Sequence, residues 1–105
     1  MAYQVIIKKR FTNKVRNVLS WLSKEWSAKV AGEFIEKIDY RIDLLCKQPY
    51  SGAPSLKVKD VRGLLITPHN KMYYKVKGNK VIILNMYDTR INPKKNPYWL
   101  ELYKR

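Results

Sequence analysis

Acidic side chains are what this sequence most lacks. Eight Asp and Glu stand against 22 Lys and Arg, giving a net charge of +14 and a pI near 10.0. On a chain of 105 residues such a charge repels itself, so it is expected to serve a polyanionic partner. Nucleic acid, an anionic membrane surface and an acidic protein all qualify on charge alone. Cysteine is nearly absent too. Cys46 stands alone, which excludes an internal disulfide and a cysteine zinc cluster, and it reads as a small buried residue in a reducing compartment. His69 is the single histidine, so a Cys–His couple or a zinc site lacks ligands, and no metal or cofactor is expected. Long apolar runs are missing: nothing approaches the roughly 20 residues of a membrane span. Val5-Ile6-Ile7 ahead of Lys8-Lys9-Arg10 is too short, and in the wrong order, for a signal peptide. A cytosolic protein with no membrane span is expected. Familiar catalytic signatures are lacking as well, with no G-x-S-x-G, P-loop, G-x-G-x-x-G or H-E-x-x-H.

What is present reads as one globular domain over residues 1–105, with a core over about 3–95 and a tail over 96–105. The hydrophobic content of 46% sets disorder aside. The chain is organised around Lys71–Pro93. Two β-type runs flank Gly78-Asn79, a two-residue loop of the kind that closes a hairpin. Val81–Leu84 is an unbroken apolar run, expected of a central strand covered on both faces. It leads into Asp88-Thr89-Arg90-Ile91-Asn92-Pro93, where Pro93 ends any pairing.

Tyr3–Lys8 reads as a first strand, with Val5 and Ile7 on one face and Ile6 on the other. Thr12 is the expected N-cap of a helix whose stripe is Phe11, Val15, Val18, Leu19, Leu22 and Trp26, with Trp21 half-buried at its edge. Ser27 is expected to cap a second helix with the stripe Val30, Phe34, Ile38, Ile42 and Leu45. Glu33, Glu36, Asp39 and Asp43 lie off that stripe and read as a solvated face. Gln48–Pro54 stops this helix, a basic connector with Lys57 and Lys59 follows, and Val61–Ile66 is the next strand. The tail residues Tyr98, Trp99, Leu100, Leu102 and Tyr103 are too apolar for free linker. The order is therefore β-α-α-β-β-β, an α+β fold in which a helical hairpin packs on a small twisted antiparallel sheet.

The residues left for chemistry are cations and phenols on the later strands. Arg, Lys, Tyr and His suit metal-independent cleavage of RNA, in which cations stabilise the charge on phosphorus and other groups move protons. Arg62, Lys71 and Arg90 are the candidate cations, and His69 or Tyr73 the candidate proton-transfer group. Asp88 is an equally good structural reason for Arg90. Of Tyr73 and Tyr74, which alternate faces, one is expected in the core.

The ordered set of pieces resembles the RelE/ParE superfamily, the toxin components of bacterial type II toxin–antitoxin modules, also called plasmid-stabilisation proteins. The pieces are Tyr3–Lys8, Lys24-Glu25-Trp26-Ser27, Leu44–Gly52, Val61-Arg62-Gly63-Leu64, Met72–Val76 and Asp88–Pro93, and they cover residues 3 to 95. The resemblance implies the same β-α-α-β-β-β fold and a cognate acidic antitoxin as partner. It implies one of two targets. RelE-like members cleave mRNA in the ribosome, and the matching catalytic positions here are Arg62, His69, Lys71 and Arg90, with Tyr98 for a C-terminal tyrosine. Arg62 stands where Lys is common and Lys71 where Arg is common, and these swaps keep charge but not shape. ParE-like members act on DNA gyrase without catalysis of their own, and the Glu25-Trp26-Ser27 junction is similar to that branch. For binding, the candidates are Lys57, Lys59, Arg62, Tyr73, Arg90 and Trp21. The ParE-like reading is taken first, an mRNA endoribonuclease second, and a non-toxic basic RNA-binding adaptor third.

Overall fold

The structure, a computed structural model, describes residues 2–98. Its elements are β1 (Gln4–Ile7), α1 (Lys9–Glu25), α2 (Ala28–Lys47), β2 (Ala53–Pro54), β3 (Val61–Thr67), β4 (Asn70–Lys77), β5 (Lys80–Asp88) and a short 3₁₀ turn at Pro93–Lys95. The expected order holds, with the two-residue β2 added. Strand order across the sheet is β1-β5-β4-β3-β2. The sheet is mixed rather than wholly antiparallel. β1 runs parallel to β5, with Val5 beside Val81 and Ile7 beside Ile83, because two helices intervene and return the chain on one side. The tail residues 99–105 lie outside the described residues.

α1 starts earlier than its sequence predicts. Lys8, not Thr12, is the N-cap and offers no side-chain bond. The Lys8 amide donates to Ile83 O at 2.9 Å, which ends β1 there and leaves no room for a linker before the helix. The helix must then begin at once for Phe11 to reach the core, where it is buried. Ser27 caps α2 as expected, its hydroxyl accepting from Val30 N at 3.1 Å. Trp21 of α1 and Trp26 of the junction both depart from expectation. Trp21 is 56% exposed rather than half-buried, and Trp26 is 67% exposed rather than part of the stripe. Trp26 is already the C-cap, with φ −123° and ψ −92°, so helical periodicity no longer points its side chain.

The core lies between the helices and one face of the sheet. Phe11, Phe34, Ile38 and Leu45 meet Ile66, Met72, Tyr74, Val81, Ile83 and Met86. Burying a side chain of this size contributes about 1.5–3 kcal/mol. Val81 and Ile83 are fully buried under the helices, but Ile82 and Leu84 are only half-buried, so β5 is covered on one face and not on both. At the hairpin loop only Gly78 takes positive φ, at 60°.

Tyr74 ties the loop after α2 to the middle of the sheet. Its buried hydroxyl donates to Pro49 O at 2.8 Å and accepts from Gly52 N at 2.9 Å. Gly52 is required there, since a Cβ would come within 2.7 Å of the Tyr74 hydroxyl and 2.8 Å of Gly63 O.

Candidate functional site on the open face of the sheet

The helices cover one face of the sheet, and the other carries polar and aromatic side chains in two rungs. Gly63, Tyr73 and Asn85 are aligned across β3, β4 and β5, as are Leu65, Lys71 and Tyr87. A register shift between Tyr73 and Tyr74 makes this possible. Tyr73 pairs with Asn85 and Tyr74 with Ile83, so Leu84 is an extra residue. The bulge reverses the phase of β5: Ile83 and Met86 both enter the core, and Asn85 and Tyr87 go to the open face. Tyr73 and Tyr74 do alternate faces, yet both are buried, Tyr74 under the helices and Tyr73 beneath Asn96 and Tyr98.

Residues 96–98 cross this face. Asn96 is buried, and its Nδ2 donates to the Tyr73 hydroxyl at 3.1 Å. The Tyr98 ring stacks on Tyr73 at 4.8 Å and 28°, and meets Tyr87 edge-on at 6.3 Å. Ser55 Oγ donates to Tyr98 O at 3.3 Å and fastens the far end to the connector before β3. Burial raises the phenols of Tyr73 and Tyr98 above the usual tyrosine range, so they are neutral at physiological pH.

Cations flank the aromatic cluster. Lys71 Nζ lies 5.7 Å from the Tyr73 ring centroid, and Lys14 Nζ lies 4.0 Å from that of Tyr87. β1 is too short to cover all of β5, and side chains close the uncovered edge: Lys14 Nζ donates to Met86 O at 3.0 Å, and Asn85 Oδ1 accepts from Met86 N at 2.8 Å. Burial lowers the Lys14 pKa from its ordinary value. A cavity of about 220 Å³ opens beside the cluster, lined by Lys71, Tyr73, Tyr87, Asp88, Thr89 and Asn96, with Leu65 and Ile91.

The candidate residues do not all converge here. Lys71 and Tyr73 are in the cluster. His69 and Arg90 sit at its edge, where Thr89 N donates to His69 O at 2.9 Å and Thr89 Oγ1 to Pro68 O at 2.9 Å. Arg90 is committed to Asp88. Its Nε and NH2 donate to the two carboxylate oxygens at 2.9 and 2.7 Å. Those bonds hold the Asp88 carboxyl down at about 2. Arg62 is elsewhere. It shares a face with Leu64, which packs half-buried against the core, and its Nη1 donates to Gly52 O at 2.7 Å and Tyr50 O at 3.3 Å. Lys57 and Lys59 are exposed on the connector, and exposed Trp21 is at the far end of α1. Sequence reasoning missed Lys14, Asn85, Tyr87 and Asn96. Lys14 had a signal: it falls between Phe11 and Val18 at helical spacing, on the flank of the buried stripe.

Two helices packed on one face of a five-stranded mixed sheet, with a basic and aromatic opposite face, make the RelE/ParE fold, that of toxins from type II toxin–antitoxin systems. A chain of the chromosomal ParDE system from P. aeruginosa superposes with a TM-score of 0.71 at 13% identity, over 83% of this chain and 96% of that one. A mutant E. coli toxin RelE in the free state gives 0.61 at 15% identity, over 93% and 95% of the two chains. The YoeB/ParE toxin from Agrobacterium tumefaciens gives 0.58 at 16% identity, over 81% and 97%. No protein-family model and no curated protein matches the sequence. Among the described residues no helix is long and apolar enough to cross a membrane, and no group of His, Cys, Asp and Glu could hold a metal ion.

Proposed function

We propose that this chain is the toxin of a type II toxin–antitoxin module, neutralised by an acidic antitoxin, and that it acts by binding its target, DNA gyrase, in the ParE manner. The observation that carries the binding mode is the fate of the candidate catalytic cations. Arg62 is spent on two backbone carbonyls on the helix-covered side, and Arg90 is spent on Asp88. A nuclease of this type needs several cations converging on one phosphate. Purified protein is expected to block supercoiling by gyrase, and unaffected gyrase at large molar excess removes this reading.

A second reading has its own support. Lys71 beside Tyr73 and Tyr87 around the 220 Å³ cavity, with Tyr98 stacked on Tyr73, fits a RelE-like mRNA endoribonuclease. Primer extension on translated mRNA would then show cuts that vanish with Lys71→Ala or Arg90→Ala while the protein stays folded and antitoxin-binding. An Arg90→Ala protein that simply unfolds assigns Arg90 to the loop. The charge of +14 supports an acidic antitoxin, so the neighbouring reading frame is expected to encode a small acidic protein whose co-expression restores growth. Harmless overexpression without that partner would favour the basic adaptor instead.

A further inference from the structure

We propose that the outward face of α2, together with the free edge of β3, is a two-fold interface with a second copy of this chain. Glu33, Glu36, Lys37, Tyr40 and Arg41 line a groove of about 610 Å³ that ends on Ile66 of β3. Their spacing of three and four residues places all five on one helix face. Along that face the order is acid, acid, base, base. An antiparallel α2 from a second copy, with the two-fold axis at about residue 37, sets Glu33 opposite Arg41 on both sides of the axis and brings Glu36 of each copy near Lys37 of the other, which is the self-complementarity a two-fold contact requires. Tyr40, 65% exposed and lying 5.6 Å from the Arg41 guanidinium, adds apolar surface on either side of the axis.

Charge makes a second copy the fitting occupant. The chain as a whole carries +14, yet α2 has four acids (Glu33, Glu36, Asp39, Asp43) and four bases (Lys29, Lys37, Arg41, Lys47). Two copies therefore meet here without net repulsion between the helices, whereas an acidic segment is drawn to the basic faces instead. The adjoining strand edge is open. β2 pairs only with Arg62 and Gly63, leaving the rest of β3 without an outer neighbour among the described strands. Ser55 N donates to Val61 O, so residues 61, 63 and 65 turn their main-chain groups to that edge. Leu65, 45% exposed, is then the residue positioned to pair with its counterpart.

Sedimentation of the full chain over a wide concentration range tests the interface. The mass is expected to rise with concentration from 12.5 kDa to twice that value. Glu33→Arg alone and Arg41→Glu alone should each hold it at 12.5 kDa, and the double substitution should restore the doubling. A wild-type mass of 12.5 kDa at every concentration overturns the proposal, as does a dimer indifferent to both reversals. Hydrogen exchange gives a readout without substitution. The Leu65 amide should gain protection as concentration rises. Exchange independent of concentration, or protection that appears only when another protein is added, overturns the second copy as occupant.

Discussion

The two faces of the sheet use the same strands and obey different rules. On the helix-covered face, Met72, Tyr74, Val81, Ile83 and Met86 are buried among apolar neighbours, and the buried Tyr74 hydroxyl has both a donor and an acceptor role filled. On the open face the rungs mix Asn85, Tyr87, Lys71 and Tyr73, and residues 96–98 hold them with stacking and single hydrogen bonds. The difference separates what holds the fold together from what is left accessible to a partner. Interactions on the covered face are deeply desolvated and costly to lose, while those on the open face are weaker and leave charged groups available to a partner.

Substitutions should expose that separation in graded steps. Tyr74→Ala removes a fully buried ring and both of its hydrogen bonds, and should lower stability by about 4 kcal/mol in urea unfolding. A loss under about 1 kcal/mol would mean that Tyr74 is not a keystone of the core. Gly52→Ala presses a Cβ against Gly63 O and the Tyr74 hydroxyl on the same side of the molecule, for a loss of about 1–3 kcal/mol. Wild-type stability for that variant would show that the loop can move away without cost. On the open face, Tyr98→Ala removes the stack on Tyr73, and the expected loss is only about 1 kcal/mol. Unfolding of this variant at room temperature would break the comparison, because the strap would then be part of the core. Asp88→Asn should have the smallest effect near neutral pH, where its exposed pair with Arg90 is screened by solvent. Its signature is pH dependence. Arg90 lowers the Asp88 pKa from 3.8 to about 2, so the ionised pair contributes above pH 3.8 and its contribution is lost as pH falls toward 2. The wild type should lose stability across that window and Asp88→Asn should lose less, which acid-titrated thermal unfolding would reveal.

Much of the covered face was legible. The stripe Phe34, Ile38 and Leu45, the Ser27 cap and the Gly78 turn are local patterns, and the structure keeps each of them. The open face was legible only in part. Lys71 and Tyr73 read as residues of the later strands, and the structure puts both on the open face, but Arg62, grouped with them by the sequence, lies on the other face. Period-two alternation had put Arg62 beside Leu64, which was right; nothing local could show that the carbonyls of Tyr50 and Gly52 would claim its guanidinium. Asn96 and Lys14 gain their roles from residues 23 and 72 positions away.

The sequence by itself determined the order of elements, the buried stripes of the helices, the hairpin loop and the strong basicity, because each depends on residues within a few positions or on simple charge counting. Only the tertiary structure decided three further things: the parallel pairing of β1, the bulge at Leu84 that sends Asn85 and Tyr87 outward, and the commitment of Arg62 to the carbonyls of Tyr50 and Gly52. Each of those depends on which backbone groups and charges are brought together across the sheet. A side chain's chemistry is settled by the neighbours that folding supplies, and along the chain those neighbours are far away.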